Sequence, residues 1–189
     1  MKLTTLDALL LFLVSHKGQS GYDIRQLFRS TPIGLFSDSP GAIYPAMARL
    51  EMRGLLTSDA ETDGRRKRLY RSTELGERAL ERWLTGPIEP DVVARRPQDL
   101  DLRFVMLAER LGRDAADAFL ADYASAVQAR HDQIQTFYDG QGAQMSRASR
   151  EAMELGLRLD RARLGWCRDL LSQSGENQDE NHKLRVTGA

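Results

Sequence analysis

Apolar residues recur along the chain at helical spacing, interrupted once by a pair of short strand-like runs. Leu6, Leu9, Leu10, Leu13 and Val14 form a wide stripe over residues 4–16, and Gly18 stops it. Ser20 opens a second helix, with Asp23 three residues on as a capping-box partner and Ile24, Leu27 and Phe28 as the apolar face. Thr31-Pro32-Ile33-Gly34 ends it. A third helix is predicted in SPGAIYPAMARLEMRGLL, residues 39–56, from Ile43, Met47 and Leu50, ending at Gly54. Residues 55–59 and 68–72 then read as strands, the second centred on Leu69 and Tyr70. Between them AETDGRRK carries an Asp63-Gly64 turn and a basic tip. Thr73 caps a fourth helix running through Trp83 and Leu84.

The pattern changes after residue 85. Gly86-Pro87-Ile88-Glu89-Pro90 and Arg95-Arg96-Pro97 read as a linker over 86–97. Beyond it everything is helical in period. Residues 98–111 carry Leu102, Val105, Met106 and Leu107, and residues 113–138 carry Ala116, Phe119, Tyr123, Val127, Ile134 and Phe137 before Gly140 and Gly142 break the pattern. Over 144–172, Met145, Ala148, Ala152, Leu155, Leu159, Ala162 and Trp166 alternate steps of three and four, a heptad seam. Leu157, Leu164 and Leu171 form a second stripe. A helix with two apolar stripes wants two partners, and a second copy of the chain is the expected one for the seam. Residues 174–189 are polar and expected to be disordered.

The fold class expected is mainly α with a small β-hairpin. Residues 1–85 would form a winged helix-turn-helix, 86–97 a linker and 98–173 a helical dimerisation domain. In such a domain the third helix enters the major groove of duplex DNA and the hairpin follows phosphates. That role accounts for the awkward opening of the third helix. Ser39 and Pro40 suit a helix start, Gly41 and Ala42 keep its tip thin, and Tyr44 and Ser39 offer hydroxyls to phosphate. Pro45 costs little only if the regular helix begins near Gly41 or Ala42. Arg49, the run Arg65-Arg66-Lys67-Arg68 and Tyr22 complete the candidate DNA-binding set.

Composition fits this picture. The 189 residues carry 27 basic and 27 acidic side chains, a formal net charge of zero. The basic excess falls in the first half of the chain. The single cysteine, Cys167, rules out an intramolecular disulfide, so a cytoplasmic location is expected. A redox role for Cys167 would need a lowered pKa and exposure, which the sequence does not display. The longest apolar run is too short for a membrane span, and the N-terminus is a weak signal-peptide candidate. His16, His131 and His182 are scattered, and no metal-ligand spacing, P-loop, dinucleotide fingerprint or nucleophile motif occurs, so neither cofactor nor enzyme activity is expected.

Ser39, Gly41, Ile43, Tyr44, Pro45, Leu50, Glu51, Gly54 and Leu55, followed by Tyr70, Thr73 and Gly76, resemble the core and wing end of the PadR family of bacterial transcriptional regulators. Gly21-Tyr22-Asp23-Ile24 is similar to that family's motif at the second helix. Met47, Leu69 and Ser72 depart from the usual residues without removing the proposed DNA face. The resemblance covers about residues 5–85; the second half is similar to the longer subgroup by length and helical pattern only. It implies a homodimeric repressor whose C-terminal helices exchange contacts, released from DNA in many members by small aromatic or hydrophobic molecules. Trp83 and Trp166 are the candidates for lining an effector pocket, against plain helix packing. A winged-helix module that binds protein rather than DNA is the competing reading.

Overall fold

The structure is a computed structural model that describes residues 2–31, 40–60 and 68–187. The chain forms two compact units, Met1–Gly86 and Pro87–Ala189.

The first unit is built around α1 (Thr5–His16). Thr4 caps it: the Asp7 backbone N–H donates to Thr4 Oγ1 at 3.1 Å, and the Thr4 N–H donates back to Asp7 Oδ2 at 3.1 Å. Ala8, Leu9, Leu10, Leu11, Phe12 and Val14 are all buried, so the helix is apolar on most sides and sits in the middle of its unit. A two-residue strand β1 (Gln19–Ser20) leads into α2 (Gly21–Ser30), where Ser20 and Asp23 make the expected capping box. A 3-10 turn at Pro40–Ala42 precedes α3 (Ile43–Met52). Pro45 therefore falls in the first α-helical turn, where the missing N–H breaks no intrahelical bond. Gly54, at φ +67°, ends the helix in the left-handed conformation that suits glycine.

Strands β2 (Leu56–Ala60) and β3 (Arg68–Ser72) pair antiparallel, Ser58 opposite Tyr70. On the other edge of β3, Gln19 pairs with Tyr70 and Ser20 with Leu69, so the hairpin is the larger part of a three-stranded sheet ordered β1-β3-β2. Thr73 caps α4 (Glu74–Leu84) through the Gly76 N–H at 3.1 Å and donates its own hydroxyl to Gly54 O at 2.6 Å. Ile24, Phe28, Ile43, Met47, Leu50, Leu80 and Leu84 close the core over α1.

Among the described residues the second unit is helical, and its elements differ from the expected ones at three places. The stretch 86–97 is not an open linker: α5 (Pro90–Arg95) lies within it, with Val93 buried, and α6 (Pro97–Leu111) begins at its end. Both prolines stand at the first position of a helix, where the ring's fixed φ helps and no hydrogen bond is lost. After α7 (Arg113–Gln141), which runs on through Gly140, a 3-10 turn at Gly142–Gln144 leads to α8 (Arg147–Thr187). Met145 follows this turn, ahead of the helix, so the helical part of the seam begins at Ala148. The third difference is at the other end, where α8 runs on as far as Thr187, into the segment 174–189 expected to be disordered. No proline follows Pro97, and an established helix gains a hydrogen bond with each added residue.

Helices α7 and α8 pack along one another. The buried line on α8 is Leu157, Asp160, Leu164, Cys167 and Ser174, which is itself a three-four repeat. Asp160 is 1% exposed and pairs with Arg130 of α7. Burial raises the Asp160 pKa, opposed by the charges of Arg130, Arg163 and His131. Tyr123, fully buried on α7, donates to Asp101 Oδ1 of α6 at 3.3 Å. Burial pushes the Cys167 thiol up to about 11, and the side chain lies in the core between the helices.

A Cβ built on Gly76 would lie 2.1 Å from the Leu55 carbonyl oxygen, whereas one on Gly140 meets nothing within 4 Å. Gly76→Ala is expected to lower the unfolding free energy by about 2–3 kcal/mol, and Gly140→Ala to raise it by up to about 1 kcal/mol. Urea denaturation of the two variants checks both signs.

Candidate nucleic-acid interface

Helix α3 is held from both sides by carboxylates. On one side Asp7 of α1, 1% exposed, accepts from Arg49 Nη2 at 2.5 Å and lies 4.0 Å from Arg53 Nη1. The same carboxylate is the capping-box partner of Thr4, so it joins the start of α1 to the end of α3. On the other side Glu51 Oε1 accepts from Ser58 Oγ of β2 at 2.5 Å and from Arg68 Nη2 of β3 at 3.3 Å. The Arg68 guanidinium also lies 5.9 Å from the centre of the Tyr70 ring. The recognition-type helix and the wing are thus tied by side chains as well as by the core.

Between these ties the N-terminal half of α3 is open. Gly41 is exposed, Ala42 is half-buried, and Tyr44 is 47% exposed. The Tyr44 ring lies against Gly21 at the start of α2, where an added Cβ would stand 2.6 Å from Tyr44 Cε1. Glycine at position 21 therefore lets the ring lie flat across the α2 terminus instead of being pushed outward. Tyr22, beside it, is 58% exposed.

Of the ten residues expected to touch DNA, the structure places Gly41, Ala42, Tyr44 and Tyr22 at the joined starts of α2 and α3. Arg49 and Arg68 keep exposed side chains, 41% and 62%, but each is engaged by a carboxylate, which reduces the positive charge it offers. Ser39, Arg65, Arg66 and Lys67 lie outside the described residues. Exposed Arg25 and Arg29 on α2 and exposed Pro45, Ala48 and Met52 on α3 were not singled out from the sequence. The arginines follow from the polar side of the α2 pattern, whereas exposed apolar residues on α3 carry no such signal.

The two tryptophans expected at an effector pocket belong to different units. Trp83 is half-buried on α4. Trp166 on α8 is 36% exposed and meets the Phe104 ring of α6 edge-on, with centroids 5.2 Å apart. A cavity of about 320 Å³ in the second unit is lined by Tyr138, Asp139, Gly142, Ala143 and Arg150, with neither tryptophan among them. Among the described residues no cluster could hold a metal ion, and no helix is long and apolar enough to cross a membrane.

Three helices, a small antiparallel sheet with a β2–β3 hairpin and a closing fourth helix define a winged helix-turn-helix. Residues 10–82 match the model of the transcriptional regulator PadR-like family. A curated relative, transcriptional regulator Rv3488 of Mycobacterium tuberculosis, is 51% identical over 43 residues, which span 22% of this chain and 40% of the relative's length. Among solved structures, the PadR-like regulator BC1756 from Bacillus cereus is 19% identical, with a TM-score of 0.43, over 91% of this chain and 97% of its own. Bacillus subtilis PadR in complex with operator DNA is 24% identical, with a TM-score of 0.41, over 90% of this chain and 99% of its own.

Asp7 serves as helix cap and ion-pair partner at once. Asp7→Ala is therefore expected to lower the unfolding free energy by about 2 kcal/mol, measured by urea denaturation. A loss no greater than that of an exposed control such as Asp91→Ala would show that the tie between α1 and α3 contributes little.

Proposed function

We propose that the chain is a homodimeric, DNA-binding repressor of transcription that recognises an inverted-repeat operator. The observation that carries this reading is the posture of α3. One side of it is locked into the core and tied at Asp7 and Glu51, and the opposite side, from Gly41 to Met52, is exposed. A helix so held can enter a major groove as a rigid reader, while the adjoining hairpin with Arg68 follows the phosphates. The match of residues 10–82 to the PadR-like family supports the same role.

The homodimer rests on α8. Leu155 and Leu159 are 58% and 49% exposed, and Trp166, Ala148, Ala152 and Ala162 are exposed with them. The spacing remains a heptad, and the α7 contacts lie on the other stripe. A second copy would present the same stripe across a two-fold axis, so two identical readers would face two inverted half-sites. Release by a small aromatic or hydrophobic effector belongs to this reading and is supported by the family resemblance alone. Such a ligand would act through its differential affinity for two dimer arrangements. A cytoplasmic protein with no resident cofactor completes the proposal.

One observation favours the competing reading of a protein-interaction module. Arg49 and Arg68 are both paired with carboxylates, which lowers the positive charge on offer. Fluorescence anisotropy separates the two. The protein is titrated against the duplex upstream of its own gene and a scrambled duplex, over a salt series. Preferential binding with a steep salt slope is expected, and Arg68→Ala is expected to flatten that slope by about one unit. Equal, weak binding to both duplexes would leave the interaction module as the better reading.

The dimer is tested by light scattering on the double variant Leu155→Glu, Leu159→Glu. It is expected to run as a monomer with its helical content retained. A persistent dimer would move the interface off this stripe.

A further inference from the structure

The exposed side of α3 is a single line of side chains without charge. Gly41, Tyr44, Pro45, Ala48 and Met52 follow one another at helical spacing, and all are exposed. Met52 is 83% exposed, more than any other large hydrophobic side chain among the described residues. Arg49 and Glu51, the two charged residues of the helix, stand off this line and are drawn sideways to Asp7 and to Ser58 and Arg68. Arg53, just past the helix, also leans towards Asp7. The line therefore carries one hydrogen-bonding side chain, the Tyr44 phenol.

This composition limits what the helix can read. Guanine and adenine are recognised in the major groove by bidentate donors and acceptors on Arg, Lys, Asn or Gln, and none of these stands on the line. Thymine alone adds a methyl group to the groove floor, and that group is recognised by apolar contact. From Tyr44 to Met52 the helix rises about 12 Å, which matches three to four base-pair steps. Charge also favours nucleic acid as the occupant of this face. The same unit exposes Arg25, Arg29 and Arg68, and the sequence places Arg65, Arg66 and Lys67 between the wing strands.

We propose that α3 selects its DNA sequence by apolar contact of Pro45, Ala48 and Met52 with thymine 5-methyl groups, while Tyr44 anchors the helix to the backbone. The inference rests on the DNA-binding reading above and names the chemistry by which that face discriminates.

The test begins by enriching preferred duplexes from a random pool with the full-length protein. Each thymine of the preferred site is then replaced by deoxyuridine, which removes the methyl and keeps the base pairing. At one to three thymines per half-site, affinity is expected to fall about four-fold for each methyl lost. Met52→Ala should erase the penalty at one of these positions without changing the salt slope, and Met52→Leu should restore it. Because Met52 is exposed, neither variant is expected to alter the circular dichroism spectrum or Tm. Replacing guanines by 7-deazaguanine should have little effect. An enriched site that tolerates uracil throughout, or one that depends on guanine N7, overturns the inference and leaves the repressor reading standing. If folded dimers enrich no sequence and bind no duplex at low salt, both fall, and the line is a face for a protein partner.

Discussion

A single buried carboxylate, Asp7, organises the first unit. It closes the capping box of α1 and holds the Arg49 guanidinium of α3, with Arg53 nearby. A charge this deep is tolerated only with several partners, so the position of α3 on α1 and the conformation at the start of α1 are set together. Glu51 makes the corresponding tie to the hairpin. The consequence is that both charged side chains of α3, Arg49 and Glu51, are committed to its own scaffold. Its free face is left to uncharged groups, small and apolar apart from the Tyr44 phenol, and the core behind holds that face in place.

The second unit applies the same device to a helix pair. The α7–α8 contact buries Leu157, Leu164 and Cys167, and into this apolar line it sets the Arg130–Asp160 pair. An ion pair in such a place adds little net stability compared with a well-packed apolar pair, but it distinguishes one alignment of the helices from the others. With one stripe of α8 satisfied within the chain, the opposite stripe, with Leu155 and Leu159, stays exposed.

Much of this was legible from the residues, and what was hidden has physical causes. Capping boxes at Thr4 and Ser20 and the left-handed glycine after α3 are local, so the order of the first four helices and the hairpin could be read directly. Strand β1 could not be, because two residues make a strand only when β3, some fifty positions away, is there to pair with. Helix α5 was obscured by its own prolines, which break helices inside and start them at the first position. On α8 the second stripe was read from Leu157 and Leu164, but its polar members Asp160 and Ser174 were not, because only their burial marks them. At the candidate interface, Arg49 and Arg68 were found but their engagement was not, since Asp7 lies 42 residues from Arg49 and Glu51 lies 17 from Arg68. Pro45, Ala48 and Met52 carry no charge and resemble core residues, so only their exposure marks them.

The Arg130–Asp160 pair also restricts how the second unit can move. Sliding α8 by one heptad along α7 would shift it about 10 Å and bring Asp160 level with Tyr123 or Phe137 in place of Arg130. The carboxylate would then lose its Arg130 partner, at a cost of about 3–5 kcal/mol where it stays buried. Translation of one helix past the other is thereby locked out, like a ratchet with a single tooth engaged. The motions left to the pair are tilting and bending with the tooth still seated. Any signal that passes through these helices must travel as a change of angle.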